Sequence, residues 1–244
     1  MTLLKSSDYG AFGSLPLLAI DTAQGALSVA VVHGEDILAC HFELRTRGHA
    51  EEVMDLIARM LDEAGLIPAD LRALAVTVGP GTFTGLRVGI AAARGFALAR
   101  ALPLVGVTTL EAIAEPVVAG KDEVIVASFD ARRDELYLQG FDAAHRPLIE
   151  PLLVNVGDAI SYLSGARFVL VGTGAELLNE QLTARGLAFR LADNPAQPDA
   201  LTVARIAQTR IAARGGDHFR VAPEPLYLRA PDAKLPGGFD PVFT

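Results

Sequence analysis

Cysteine is nearly absent from this chain: Cys40 is the only one in 244 residues. A single thiol excludes an internal disulfide and a thiolate metal cluster. Long apolar runs are missing too. The longest uncharged stretches, 22–34 and 73–86, contain glycine and fall short of the ~18 apolar residues that a membrane span needs. Residues 1–15 hold one lysine and no apolar core of the kind a secretory signal carries, so the chain reads as cytoplasmic, with no membrane partner. Positive charge is in deficit, 21 Lys and Arg against 29 Asp and Glu, a net −8. Phosphate contacts need clustered basic residues, so a large direct nucleic-acid footprint is excluded. The five histidines, His33, His41, His49, His145 and His218, include no i, i+4 pair and no metal-ligand spacing. There is no Gly-x-Ser-x-Gly, and Ser28 and Ser128 fall within apolar strands, so a serine hydrolase has no support.

What the chain does have is apolar mass. Hydrophobic residues make up 51%. Its 244 residues suffice for one large domain or two lobes of roughly 100 residues each. With no span to absorb it, the excess goes into a core or an interface with another chain. Residues 17–21, 27–32 and 37–44 read as a three-strand meander turned at Gly25 and at 34–36. Residues 49–64 read as an amphipathic helix with Val53, Leu56, Ile57, Met60 and Leu61 on one face and Gly65 as its stop. Strand 73–78, helix 84–101, strand 104–107 and helix 108–116 follow. The order βββαβαβα then restarts: strands 123–129, 135–141 and 152–154, helix 158–163, strand 168–172, helix 175–184, strand 188–191 and helix 201–214. A doubled order predicts two α/β lobes of related fold with mixed sheets. The expected division is an N-terminal extension 1–15, a first lobe 16–118, a second lobe 119–215 and a tail 216–244. Pro223, Pro225 and Pro231 make that tail extended.

The segment Val78-Gly79-Pro80-Gly81-Thr82-Phe83-Thr84-Gly85-Leu86-Arg87 joins a strand to a helix. Two readings stand side by side. The turn can present helix N–H groups to a phosphate, or it can be a tight turn with Thr82 or Thr84 as cap. Neither a Walker A loop nor the dinucleotide spacing is present. Beyond the turn, Gly85, Gly89, Ala93 and Ala97 recur every four residues and share one helical face. Glycine inside a helix costs about 1 kcal/mol against alanine, so something is expected to pack closely there. Asp21 and Asp130 are each expected to close the first strand of a lobe, as a turn-forming Asp or as a nucleotide contact. Gly172-Thr173-Gly174 is a weaker loop of the same kind.

The doubled order resembles the actin-like ATPase (ASKHA) superfamily. Over about 17–234 the chain also resembles the TsaB (YeaZ) family. Four stretches carry that likeness: Leu17-Leu18-Ala19-Ile20-Asp21-Thr22, His49-Ala50-Glu51, residues 78–94, and Asp130-Ala131-Arg132-Arg133-Asp134-Glu135-Leu136-Tyr137, with Tyr227-Leu228-Arg229 in the tail. The resemblance implies a non-catalytic scaffold of bacterial tRNA threonylcarbamoyladenosine (t6A) biosynthesis. Its partner is the metal-bearing TsaD, which modifies adenosine 37 of tRNAs reading codons that begin with A. The ATPase TsaE completes the complex, TsaC makes the donor, and tRNA is met only through the complex. The resemblance also implies a homodimer through the first two helices. The expected interface is Val53, Ile57, Met60, Thr84, Gly85, Leu86, Val88, Gly89, Ala92, Ala93, Phe96 and Ala97, which Gly89→Leu or Ala93→Glu would disrupt without harming the fold. Asp21, Thr22, Gly79, Gly81, Thr82 and Asp130 are the candidate nucleotide or phosphate contacts, for at most weak ATP or ADP with Mg²⁺. No catalytic or metal residue and no resident cofactor is expected. The competing expectation is a small-molecule kinase or ATPase using Asp21 between the lobes, and a glycopeptidase-like hydrolase is a distant third.

Overall fold

A computed structural model describes residues 15–229. Two five-stranded sheets repeat one topology. The first has order β3-β2-β1-β4-β5, from β1 (Pro16–Asp21), β2 (Ala26–His33), β3 (Asp36–Leu44), β4 (Ala73–Gly79) and β5 (Leu104–Thr108). The second, read in the same direction, is β8-β7-β6-β9-β10, from β6 (Glu123–Arg132), β7 (Glu135–Phe141), β8 (Leu152–Asn155), β9 (Arg167–Val171) and β10 (Ala188–Leu191). In each sheet the first three strands pair antiparallel and the last two join parallel. This duplicated mixed sheet is the two-lobed actin-like ATPase fold.

The central strands are apolar at almost every position because both of their faces are covered. In β1, Leu18 and Ile20 enter a core beneath α1 (His49–Glu63) and α2 (Phe83–Arg100). Leu17 and Ala19 point the opposite way, toward α5 (Ala200–Arg214). Strand β6 divides likewise. Val126 meets α4 (Ala175–Ala184), while Ile125, Ala127 and Phe129 meet α3 (Thr109–Ala114). The layers therefore run α1/α2, first sheet, α3 and α5, second sheet, α4.

The inner layer is crossed. Helix α5 comes from the last third of the chain yet packs on β1, β2, β4 and β5 of the first sheet. Helix α3 follows β5 but sends Leu110 and Ile113 into the second sheet's core. A boundary near 118 separates the strands of the two sheets but not the helices that cover them. Two further differences are local. Residues 156–162 form a 3-10 helix, Val156–Tyr162, rather than an α-helical segment starting at 158. Strand β6 runs on to Arg132, so Asp130 lies inside the β6–β7 ladder opposite Leu136 and does not end the strand.

Local chemistry fixes the helix starts. Thr82 caps α2, its hydroxyl accepting from the Gly85 N–H at 3.2 Å. Thr108 and Glu111 form a reciprocal capping box on α3. Asp199 caps α5 through the Leu201 N–H at 2.9 Å. Helix α1 has no side-chain cap, but Glu51 and Glu52 complement its dipole. The His49 ring, buried, bonds the Ala26 carbonyl at 3.1 Å and ties the helix to β2. Residues 222–229 have no helix or strand, and those beyond 229 lie outside the described residues, as do 1–14.

Candidate functional site

Asp21 ends β1 and is fully buried. Its Oδ1 accepts from the Thr77 hydroxyl at 2.6 Å and from the Ala23 N–H at 3.2 Å. Its Oδ2 is buried with no hydrogen-bond partner among the described residues. Burial raises its pKa to about 7, opposed by the bonds from Thr77 and Ala23 and assisted by the nearby carboxyl of Asp199. Ser28, opposite Asp21 in the ladder, donates to the His41 carbonyl at 2.9 Å and accepts from the Ala200 N–H at 3.0 Å, so the start of α5 is pinned beside it.

The glycine-rich turn closes on the residues after Asp21. Thr82 N–H donates to the Ala23 carbonyl at 2.8 Å. The Thr22 hydroxyl donates to the Gly85 carbonyl at 2.7 Å, and Gln24 to the Pro80 carbonyl at 3.0 Å. Thr109 donates to the same Pro80 carbonyl at 2.5 Å. Gly25 N–H is taken by Gln197 at 2.9 Å. The structure thus brings Asp21, Thr22, Gly81 and Thr82 into one turn-on-turn contact, with Gly79 buried behind them against the chain near Leu226. The amides of Thr82 and Gly85 and the space beside Gly81 are filled by the chain itself. A Mg²⁺-nucleotide held as actin-like ATPases hold it needs an ionised, reachable carboxylate and open amides, and these residues do not fit that group.

Asp130 stands apart. Half-buried, it accepts from the Arg132 N–H at 2.7 Å and pairs with the Arg132 guanidinium at 3.2 Å. Its own N–H donates to the Thr173 hydroxyl at 3.1 Å, which gives Gly172-Thr173-Gly174 a structural role. Among the described residues no group of three or more His, Cys, Asp or Glu is placed to hold a metal, and no helix is long and apolar enough to cross a membrane.

The small-residue stripe has an internal occupant. A Cβ on Gly85 would strike the Thr22 carbonyl, and one on Gly89 would lie 2.5 Å from the Thr22 hydroxyl. The stripe lets the β1–β2 turn lie against α2. Of the twelve expected interface residues, Val53, Ile57, Met60, Gly85, Leu86, Gly89 and Ala93 are buried in this chain's own core. They present little surface to another chain, and Gly89→Leu or Ala93→Glu would damage the core instead of testing an interface. Thr84 is exposed, and Val88, Ala92, Phe96 and Ala97 are half-buried.

An apolar groove of about 290 Å³ does open beside them, between α1, α2 and the segment after α1. Met54 (50% exposed), Ala58, Ile67 (61% exposed), Pro68 and Phe96 line it. Sequence reasoning named Phe96 and Ile57, which also lines the groove, and missed Met54, Ala58, Ile67 and Pro68. Met54 stands on the charged, water-facing side of the helix, and Ile67 follows the Gly65 stop; both are apolar residues where water was expected. Thr77, Gln197 and Asp199 around the Asp21 turn were missed too. They are distant in sequence, and only the crossed α5 brings the last two near.

The comparisons with known proteins agree with this architecture. A sequence family described as "TsaD: tRNA N6-adenosine threonylcarbamoyltransferase" matches residues 41–235. The tRNA threonylcarbamoyladenosine biosynthesis protein TsaB of Escherichia coli is 34% identical, over 91% of this chain and 98% of its own length. The Haemophilus influenzae protein of the same name is 31% identical, over 92% of this chain and 98% of its own. A Pseudomonas aeruginosa crystal structure, described as an uncharacterized protein with similarity to peptidase YEAZ, superposes with a TM-score of 0.76 at 27% identity, covering 88% of this chain and all of that one. With the duplicated sheets, the filled glycine turn and a near end-to-end match in hand, the chain belongs to the TsaB (YeaZ) family.

Proposed function

We propose that this chain serves t6A biosynthesis as a non-catalytic subunit, and that it pairs with TsaD for modification of adenosine 37 in tRNAs reading ANN codons. The observation that carries the reading is the match to TsaB proteins along nearly their whole length. The docking face is the α1–α2 side, where Met54, Ile67 and Phe96 leave apolar surface in water. Alone, the chain forms a C₂ homodimer through the same patch, and a TsaD subunit of related fold replaces the second copy. TsaE joins the pair, TsaC supplies the donor, and tRNA is contacted through the assembly in the cytoplasm. The burial of Asp21 and the filled turn count against a nucleotide-dependent enzyme, and Mg²⁺-ATP titrated into the chain by calorimetry is expected to give no tight binding.

Co-purification with a TsaD partner, with mass from light scattering, tests the proposal. Wild type is expected to give a stoichiometric complex. Met54→Asp and Phe96→Asp are expected to lose it while urea unfolding stays cooperative. A complex that survives both variants moves the interface elsewhere; no complex with wild type overturns the scaffold reading.

A further inference from the structure

The segment 222–229 is held at two places of unequal strength. On the first lobe it is fixed many times over. Leu226 N–H donates to the Val78 carbonyl at 2.7 Å, and Arg94 donates to the Pro223 carbonyl at 2.7 Å. Arg87 lies 3.5 Å over the Phe83 ring and donates to the Tyr227 hydroxyl at 3.1 Å, while Phe83 and Tyr227 meet at 5.6 Å. Gly79 (φ +113°) is obligatory here, since a Cβ would lie 2.7 Å from the Leu226 carbonyl. Exposed rings beside arginine would otherwise suggest a platform for nucleic-acid bases. Yet Phe83 is covered by Arg87 on one side and met by Tyr227 on another, so the cluster is a clasp on the chain.

On the second lobe the segment is held through Arg229. Arg229 donates to the Ala131 carbonyl at 2.7 Å, reaches the Arg132 carbonyl at 3.5 Å and pairs with the Glu135 carboxylate. These groups flank the tip of the β6–β7 hairpin, where Arg132, Arg133 and Asp134 all have positive φ (65°, 58° and 61°). Three consecutive residues other than glycine in the left-handed region are unfavourable unless the surroundings fix them.

We infer that residues 222–229 form a strap whose Arg229 latches the β6–β7 hairpin in its left-handed conformation, so that the clasp on α2 and the hairpin of the other lobe open and close as one unit. Among the described residues the charged latch of Arg229 ties the strap to the second lobe. The inference does not depend on the partner proposed above.

Hydrogen exchange on the full chain tests it. Arg229→Ala is expected to speed exchange of the amides of 132–135 by about tenfold, the loss of a charge-assisted hydrogen bond. Glu135→Gln keeps the shape and is expected to give a smaller increase at the same amides. Arg87→Ala and Tyr227→Ala, which touch only the clasp, are expected to raise the same hairpin amides, with α4 and β10 unchanged in all four. Unchanged hairpin exchange in Arg229→Ala and Glu135→Gln overturns the latch. A response to those two but not to Arg87→Ala or Tyr227→Ala overturns the strap as a unit. Should Arg229→Ala fail to unfold cooperatively, Glu135→Gln and Tyr227→Ala decide both points.

Discussion

The β1–β2 and β6–β7 hairpins open the two halves of the molecule with the same strand pairing and opposite chemistry. In the parallel ladders Ile20 faces Val76 and Ala127 faces Val171, so Ser128 stands where Asp21 stands. From there the first hairpin reaches its antiparallel partner at Ser28, and the second only at Leu138, three residues later. The shorter hairpin is folded down under the glycine turn, its carboxyl dry and its bonds made to backbone. The longer one projects, and its carboxylates Asp130 and Glu135 are paired with Arg132 and Arg229. Buried carboxyls are governed by desolvation, exposed ones by screened charge, so one topology supports two very different sensitivities.

Overfilling the first hairpin's contact gives the largest expected effect. Gly89→Leu pushes a side chain into the Thr22 hydroxyl and Val76, and is expected to cost about 3 kcal/mol in urea unfolding, at the upper end for overpacking. A variant as stable as wild type would mean the β1–β2 turn is not held as described. Next comes pH. The Asp21 pKa rises from 3.8 unfolded to about 7 folded. The folded state then keeps a proton the unfolded state has lost, so stability falls as pH rises from about 4 to about 7 and is flat above. In Asp21→Asn this slope is expected to vanish, and the variant gains on wild type between pH 5 and pH 8, read from urea midpoints at constant m. An unchanged slope would assign the proton to another group. The smallest effect belongs to the second hairpin. Arg132→Ala breaks an ion pair whose arginine is 84% exposed, and is expected to change stability by less than about 1 kcal/mol. A loss as large as that from Gly89→Leu would erase the contrast between the two hairpins.

The architecture was legible where burial has a period. Strands β7 and β10 and helix α4 keep the bounds their apolar patterns predict, and α1, with Val53, Leu56, Ile57, Met60 and Leu61 inward, ends within one residue of expectation. Periodicity says that a face is covered but not by what. The pattern of α5 was clear, yet its placement on the first sheet depends on residues 172 positions away, such as Ser28 bonding Ala200. The glycine stripe was read as a close-contact surface, which it is; its occupant, Thr22, could not be told from a second chain by spacing alone. The capping role of Thr82 was legible as one of the two readings of the turn. The clasp of Phe83, Arg87 and Tyr227 was not, since nothing in the tail's prolines says where it lies down.

The crossed helices bear on how the chain is made. The first sheet is complete in sequence at Thr108, but Ala19, Ala75 and Val105 on its inner face share their core with Val203, Ala207 and Ile211 of α5, beside Ala112 of α3. On the ribosome that face lacks its α5 cover while roughly a hundred more residues are added, at ~5–20 residues per second. For several seconds the nascent half is a sticky sheet without its lid, and a fragment cut near 120 would stay in that condition permanently. Helix α5, the last α-helix among the described residues, is the one that makes the first half a finished structure.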